Sequence, residues 1–492
     1  MNSPQPPDTD PAGRDGLPSA ASPGERQLIW TVWLAYGAFY FCRTNLAAAL
    51  PGIESELHLD KTDMGLVLLG SKLAYAVGQF VNGQFAERIP ARRMLALGMF
   101  GSAALNVLFG FGTGLYFFLF VWAMNGYAQS MGWTPCVRVI GNWIPILRRG
   151  RAIGIVGTGY QVTAGLTYLV SGVAVWWLGW RGAVWVPPVI LAASALVMLV
   201  FLRESPQEHD WRADPQADRP AARRGPGFRH TLRVTLANPA LWLLALSLGM
   251  LNACRYGFFD WGVSHLVAIE RAETQRAEIN RELAASTSPG IHQRLSGLLA
   301  LDLVNDESQK QVKALMDDGL LPGVKTASDR AAVLKSALNY AVLPIGAIMG
   351  SFLAGWASDR FFGGRRAPVI CGLLVALGCL TLAYDPLART SFVATVALLF
   401  AVGFCIFGPQ VLLVGTAPAD LARDGTAAAA AGFVNCFGYF GAAVAGDLLT
   451  GYLAKHYGWK IAIYAWAGWA FAAAVTMAFL WNATGRSSPA RH

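Results

Sequence analysis

The sequence predicts an all-α membrane protein: twelve transmembrane helices in two pseudo-symmetric six-helix bundles. Three observations carry that prediction. The chain has 492 residues, of which 54% are hydrophobic and only 14% charged. Its apolar runs are long enough to cross about 30 Å of hydrocarbon. Landmarks in the first half of the chain recur, in the same order, in the second half.

Residues 1–27 are rich in Pro, Gly, Asp and Ser and read as a disordered cytoplasmic tail with no cleavable signal. Six predicted spans follow, at about 28–50, 63–86, 92–112, 115–143, 152–176 and 183–203, and form the first bundle, 28–203. Residues 204–238 are polar, proline-rich and basic, and read as a cytoplasmic linker. Spans 7 to 12, at about 239–266, 333–358, 367–384, 391–416, 426–454 and 460–482, form the second bundle, 239–482, before a short cytoplasmic tail, 483–492. The gaps after spans 2, 4 and 8 carry clustered arginines: Arg88, Arg92 and Arg93; Arg148, Arg149 and Arg151; Arg360, Arg365 and Arg366. Alternate gaps are poor in positive charge, so both termini are expected in the cytoplasm of a multi-pass inner-membrane protein.

The repeat is visible in two motifs. Gly83, Glu87 and Arg88 follow span 2, and Gly355, Asp359 and Arg360 follow span 8. Gly179-Trp180-Arg181 near the start of span 6 is echoed by Gly458-Trp459-Lys460 before span 12. From Arg43 to Gly83 is 40 positions, but from Arg255 to Gly355 is 100, which locates an extra stretch of about 60 residues at 268–332. There Glu270, Arg271, Glu273, Arg276, Glu278, Arg281 and Glu282 alternate at helical spacing, so solvated helices outside the cytoplasm are expected. Either a docked regulatory cap or a tolerated surface elaboration fits that pattern.

Composition also excludes several classes. The net charge of +9 sits in short gaps between spans and sets orientation, so it does not indicate nucleic acid. Seven cysteines lie in or beside apolar runs without metal-ligand spacing. There is no GxxxxGK loop and no HExxH, so the chain reads as a non-enzyme with no cofactor or metal. None of the seven histidines reads as mid-span, which gives no support to a histidine proton relay.

The functional signal is two arginines inside apolar runs: Arg43 in FYFCRTN and Arg255 in NACRYGFFDWG. A guanidinium at the centre of a span costs at least about 2.5–3.5 kcal/mol, so it faces a protein interior or cavity. At 1.5 Å per residue, Arg43 lies about 22 Å into its span and Arg255 about 24 Å. Equal depth, one from each half, is the arrangement that lets both reach one ligand at the midplane. Their planar forks suit a phosphate. The competing reading pairs Arg255 permanently with Asp260, five positions on. Tyr36, Tyr40 and Arg43 share one helix face; Lys72, Tyr75, Gln79 and Asn82 share another; Asn435 and Tyr439 a third. Such polar stripes are expected to face a cavity.

YGAFYFCRTN, MGWTPCVR, RYGFFDWG and FGPQVLLVG followed by GTAAAAAGFVNCFGYFG resemble the organophosphate:phosphate antiporters of the major facilitator superfamily. The resemblance covers both halves except the tail, linker and insertion. It implies that Tyr36, Tyr40, Tyr75, Trp133 and Tyr439 lie at pocket positions. The chain departs from glycerol-3-phosphate transporters at Tyr160 and Gln161, where those have a His-Asn pair. It departs also at Gln79 and Thr44 for lysines, Phe407 for a tyrosine and Asn339 for an acid. The resemblance implies exchange of a small organophosphate (glycerol-3-phosphate, sugar phosphate or phosphoglycerate) for inorganic phosphate, by a monomer in the lipid bilayer. Two alternatives remain: a sugar-phosphate sensor of the same fold, and a proton-coupled organic anion carrier.

Overall fold

The computed structural model describes residues 23–85, 89–144, 146–205, 228–286, 288–321, 328–422 and 426–483, and among them there is no strand. Every predicted span is helical. Among the described residues, eight helices, all beyond residue 151, are long and apolar enough to cross a membrane by length and composition. The four earlier spans fall short for local reasons. Span 1 is a helix Pro23–Ala38, a 3-10 turn Phe39–Cys42 and a second helix Leu46–Leu57. Span 2, Lys61–Phe85, is continuous but carries Lys72, Gln79 and Asn82. Span 3, Ala91–Phe109, opens on Arg92 and Arg93. Span 4 breaks between Leu115–Gln129 and Trp133–Trp143.

Boundaries shift modestly. The first helix begins at Pro23, inside the expected tail, and a helix Phe228–Leu236 occupies the end of the expected linker. The rest of that linker, 206–227, lies outside the described residues.

The two halves meet along three helix pairs. Span 2 packs on the residues 442–457 of span 11, span 5 (Ile146–Leu178) on Ser328–Phe362 of span 8, and Leu46–Leu57 on Gly262–Ala285. Small residues make the second contact close: a Cβ on Gly172 would meet that of Ala337 at 2.7 Å, and one on Gly165 the Ala341 carbonyl at 3.1 Å. Tyr168 of span 5 donates to the Phe259 carbonyl at 2.7 Å, and Gln161 to Ser351 at 3.1 Å.

The insertion is docked along one face, and its charged face is exposed as expected. Its helices, Gly262–Ala285, Pro289–Leu299 and Asp306–Asp317, bury Ile279, Leu295, Leu298, Val312 and Leu315 in one apolar seam beneath the charged face. The charge alternation concealed that seam, because each helix offers only two or three apolar residues to it. Asp302 takes both Arg389 guanidinium nitrogens, at 3.0 and 3.2 Å, and Asp306 pairs with Lys61 at the start of span 2. Lys455 pairs with Asp60 at 2.6 Å at the same end. Between described residues, the ion pairs joining the halves lie either at this insertion end or mid-helix.

The repeated loop motif is only partly described. Gly83 lies in the span 2 helix, while Glu87 and Arg88 fall outside the described residues. In the second copy, Asp359 accepts from Arg366 at 2.6 Å, and Arg366 also reaches Asp420 at 3.2 Å. The acid therefore ties the span 8–9 loop to the end of span 10, through Arg366 and not through the adjacent Arg360.

Candidate functional site

Each arginine stands where its helix is irregular. The 3-10 turn ending at Cys42 frees carbonyls that the α-helical ladder would have used. Span 4 supplies the donors: Asn125 Nδ2 reaches the Cys42 carbonyl at 2.9 Å, and Gln129 Nε2 reaches that of Phe39 at 3.0 Å. Ser102 donates to Asn125 at 2.6 Å and accepts from Gln129 at 2.8 Å, so the amides are themselves held. The remaining Gln129 acceptor takes Arg43 Nε at 3.2 Å, and Arg43 Nη1 donates to Tyr40 Oη at 3.3 Å. The guanidinium lies 4.8 Å from the Tyr40 ring centroid and 4.4 Å from that of Tyr75. It is aimed by neutral groups.

Arg255 ends a regular helix, Pro239–Tyr256, and a π-helical turn, Gly257–Trp261, follows at once. Its side chain is only 4% exposed and packs on the rings of Tyr256, Phe259 and Phe407, at 4.8, 5.3 and 4.8 Å. Arg255 Nε is buried without a hydrogen-bond partner. Neither Arg43 nor Arg255 has a carboxylate within ion-pair distance among the described residues. The permanent Arg255–Asp260 pair is therefore absent. The π turn carries Asp260 round to Lys72, which it meets at 2.6 Å.

Both arginines line one narrow cavity between the halves. Tyr40, Tyr75, Tyr256, Phe259 and Tyr439 supply most of its wall, and Thr44, Ser71, Asn125 and Gln129 its neutral polar groups. Tyr75 and Tyr439 bring their rings to 4.8 Å across the interface. The arrangement presents two forked cations, hydroxyls and amides to a small anion carrying an organic moiety.

Not every residue of the predicted site is here. Lys72 lines the cavity, but its ammonium is committed to Asp260 and Asp447 and is not a free third cation. Gln79 donates to Tyr75 Oη at 2.7 Å and lies off the lining, while Asn82 donates to Ser130 at 2.7 Å inside the first half. Both share Lys72's face but sit about 10 and 15 Å further along the axis. Asn435 misses the lining for the same reason, one turn from Tyr439. Tyr36, Trp133 and Tyr160 stack behind Tyr40, with Tyr36–Trp133 at 4.8 Å and Tyr40–Tyr160 at 5.0 Å, and form a second aromatic layer away from the insertion end. Gln161 bridges to Ser351 instead of facing the cavity.

Sequence reasoning overlooked Asp447, Gln129, Asn125 and Tyr256. Asp447 had the plainest signal, an acid within the apolar run AVAGDLLTG. Asn125 and Gln129, four apart in span 4, form a polar stripe of the kind recognised in span 2.

Known proteins are similar to the chain over most of its length. The chain is 28% identical over 434 residues to the membrane sensor protein UhpC of Salmonella typhimurium, covering 86% of this chain and 84% of that one. It is 27% identical over 479 residues to the glycerol-3-phosphate transporter of Bacillus subtilis, covering 94% and 93%. With the mouse glucose-6-phosphate exchanger SLC37A1 it shares 29% over 413 residues, covering 80% and 73%. Its fold matches that of a bacterial homolog of the human lysosomal transporter Spinster, in an inward-facing and occupied conformation, with a TM-score of 0.68 at 15% identity over 96% and 100% of the chains. The superfamily profile matches residues 32–271 and 321–491, and the gap it leaves falls within the docked insertion. The chain is a transporter-fold membrane protein that belongs to the Major Facilitator Superfamily.

Proposed function

We propose that the chain exchanges a small organophosphate, of the glycerol-3-phosphate or sugar-phosphate class, for inorganic phosphate by alternating access. The observation that carries this reading is the pair Arg43 and Arg255, one from each half, in a single cavity, with neither at ion-pair distance from a described carboxylate. A buried cation without an acid calls for an anion from outside. Two forks on opposite walls suit a phosphoryl group better than a carboxylate, which offers only two oxygens. The named activities of relatives that cover most of the chain support the same substrate class. By the positive-inside rule, the arginine-rich gaps support an insertion end outside the cytoplasm. With the halves joined at that end, the arrangement corresponds to a carrier closed to the exterior.

The test is counterflow. Proteoliposomes loaded with phosphate should take up labelled glycerol-3-phosphate or glucose-6-phosphate much faster than empty ones, at fixed pH and voltage. Equal uptake with and without internal phosphate would refute exchange. Likeness to a membrane sensor protein supports a second reading, in which the same cavity binds a sugar phosphate and signals without transport. Saturable binding by purified protein with no uptake in either vesicle preparation would decide for it.

A further inference from the structure

Lys72 rises from span 2 of the first half and is gripped by two acids of the second. Asp260 Oδ2 lies 2.6 Å from its Nζ, and Asp447 Oδ2 is bonded to the same nitrogen. Both aspartates sit in π-helical segments, Gly257–Trp261 and Ala442–Leu448, which offset them from regular helical positions toward the interface. The cluster is buried: Lys72 is 9% exposed, Asp260 5% and Asp447 0%.

One ammonium between two carboxylates leaves one negative charge over. Asp447 bonds Lys72 of span 2, which also holds Asp260 of span 7, while Tyr75, Arg255, Tyr256 and Tyr439 line the adjoining cavity with Lys72 and Asp260. Arg43 of span 1 shares the cavity with these groups. Neither arginine comes within ion-pair distance of Asp447, and the face of Tyr256, 4.2 Å from Lys72 Nζ, packs against the ammonium. The other oxygen, Asp447 Oδ1, is buried with no hydrogen-bond partner. A buried carboxylate with an oxygen that neither water nor donor reaches is far costlier as an anion than as an acid. Two carboxylates on one cation take up a proton for the same reason.

We propose that Asp447 is a proton-binding site, occupied while the two halves are closed around Lys72. The closed cluster then reads Lys72 ammonium, Asp260 carboxylate and Asp447 carboxylic acid, with no net charge. Opening at the insertion end must part span 2 from residues 442–457 of span 11, which carry most of the contacts between these two spans. Water then reaches the acid, and the proton passes to it as Asp447 ionises. Protonation thus accompanies closure of the halves, and acid on the insertion side favours the closed form. The inference deepens the transport reading, but its test does not depend on any substrate.

The experiment is infrared difference spectroscopy of the full chain in lipid, without substrate, titrated through neutral pH. Beyond the part that Glu54→Gln removes, the wild type should show a protonated-carboxyl stretch that shifts in deuterium oxide and disappears in alkali. Asp447→Asn should lose that band. Asp260→Asn should lose it too, because one acid then remains for one ammonium and stays ionised. Absence of the band from the wild type, or its survival in Asp447→Asn, would overturn the proposal. The wild-type arm stands even if a variant fails to fold. Phosphate homoexchange on the same samples separates the two claims. Exchange without the band sinks only the proton site, whereas the band without exchange sinks only the transport reading.

Discussion

Replacing Arg255 by Met separates a binding arginine from a structural one, because the two roles predict opposite signs for stability. Arg255 is 4% exposed, its Nε has no partner, and no described carboxylate compensates it. Its desolvation is offset only by three aromatic faces, each worth about 0.5–2 kcal/mol. Met fills a similar shape without the charge, so the empty variant should be as stable as the wild type or more so, by up to ~3 kcal/mol. Affinity should move the other way. A charged hydrogen bond contributes about 1.5–3 kcal/mol, so losing a bidentate fork should weaken phosphate binding by at least two to three orders of magnitude. Arg255→Lys keeps the charge and loses one arm, and should sit between, about 10- to 100-fold weaker. Thermal unfolding of purified protein without ligand, paired with phosphate binding by calorimetry, measures both axes. A large fall in empty-state stability in Arg255→Met would mean a hidden ion pair. Normal phosphate affinity in either variant would remove Arg255 from the site.

Three more outcomes follow from named contacts. Gln129→Glu puts a carboxylate where Arg43 Nε now meets a neutral oxygen at 3.2 Å; the internal pair should cut phosphate affinity at least ~30-fold, about 2 kcal/mol, in a protein that still folds. Gly126→Ala should drive a methyl into the Ser71 backbone next to Lys72, lowering stability by about 1–3 kcal/mol in a melting experiment. At the insertion end, burial lifts Glu54 from 4.5 to about 7, with Lys61 pulling against the rise and Asp306 adding to it. A raised acid pKa means that the closed form keeps a proton the open form gives up. Closure should then be strongest below about 4.5, weaken by about 3 kcal/mol as pH rises to about 7, and change little above. Glu54→Gln should flatten that dependence in label-to-label distances across the insertion end, and an unaltered profile would exclude Glu54.

Much of this architecture was legible because a bilayer enforces simple rules. Hydropathy marked the helices, since a spanning backbone must satisfy its own hydrogen bonds. Arg43 and Arg255 stood out because apolar surroundings make a charge conspicuous. What the sequence hid was departure from regular helix. A π turn at Gly257–Trp261 adds a residue to one turn, and that rotates Asp260 away from Arg255 and onto Lys72. Regular periodicity cannot show this, and the partner lies 188 positions away. Depth was hidden too: Lys72, Gln79 and Asn82 share a stripe, but only the end of the stripe at the interface meets the cavity. The insertion misled because its few apolar residues, such as Leu295 and Val312, are scattered over separate helices and gain meaning only when packed together.

The same geometry separates coupling from selectivity. An empty carrier that closes around Arg43 and Arg255 must hold two bare guanidinium ions away from water, at several kcal/mol per ion. Each 1.4 kcal/mol is a factor of ten in the population of that state, so an unloaded crossing is slower by orders of magnitude. A bound phosphoryl group neutralises the forks in the occluded state more than in either open state, where water already screens them. That difference is the only means by which a ligand can speed the change. On the proposed reading, inorganic phosphate and a phosphate ester share the phosphoryl group, so both would satisfy the requirement, and exchange is the mode proposed. Discrimination among esters must then reside in groups that do not touch the phosphoryl charge. Tyr256, Phe259 and Tyr439 line the same cavity, with Thr44, Ser71 and Asn125 as neutral polar groups. Substitutions there can change which metabolite is carried while leaving the two arginines to enforce that something is.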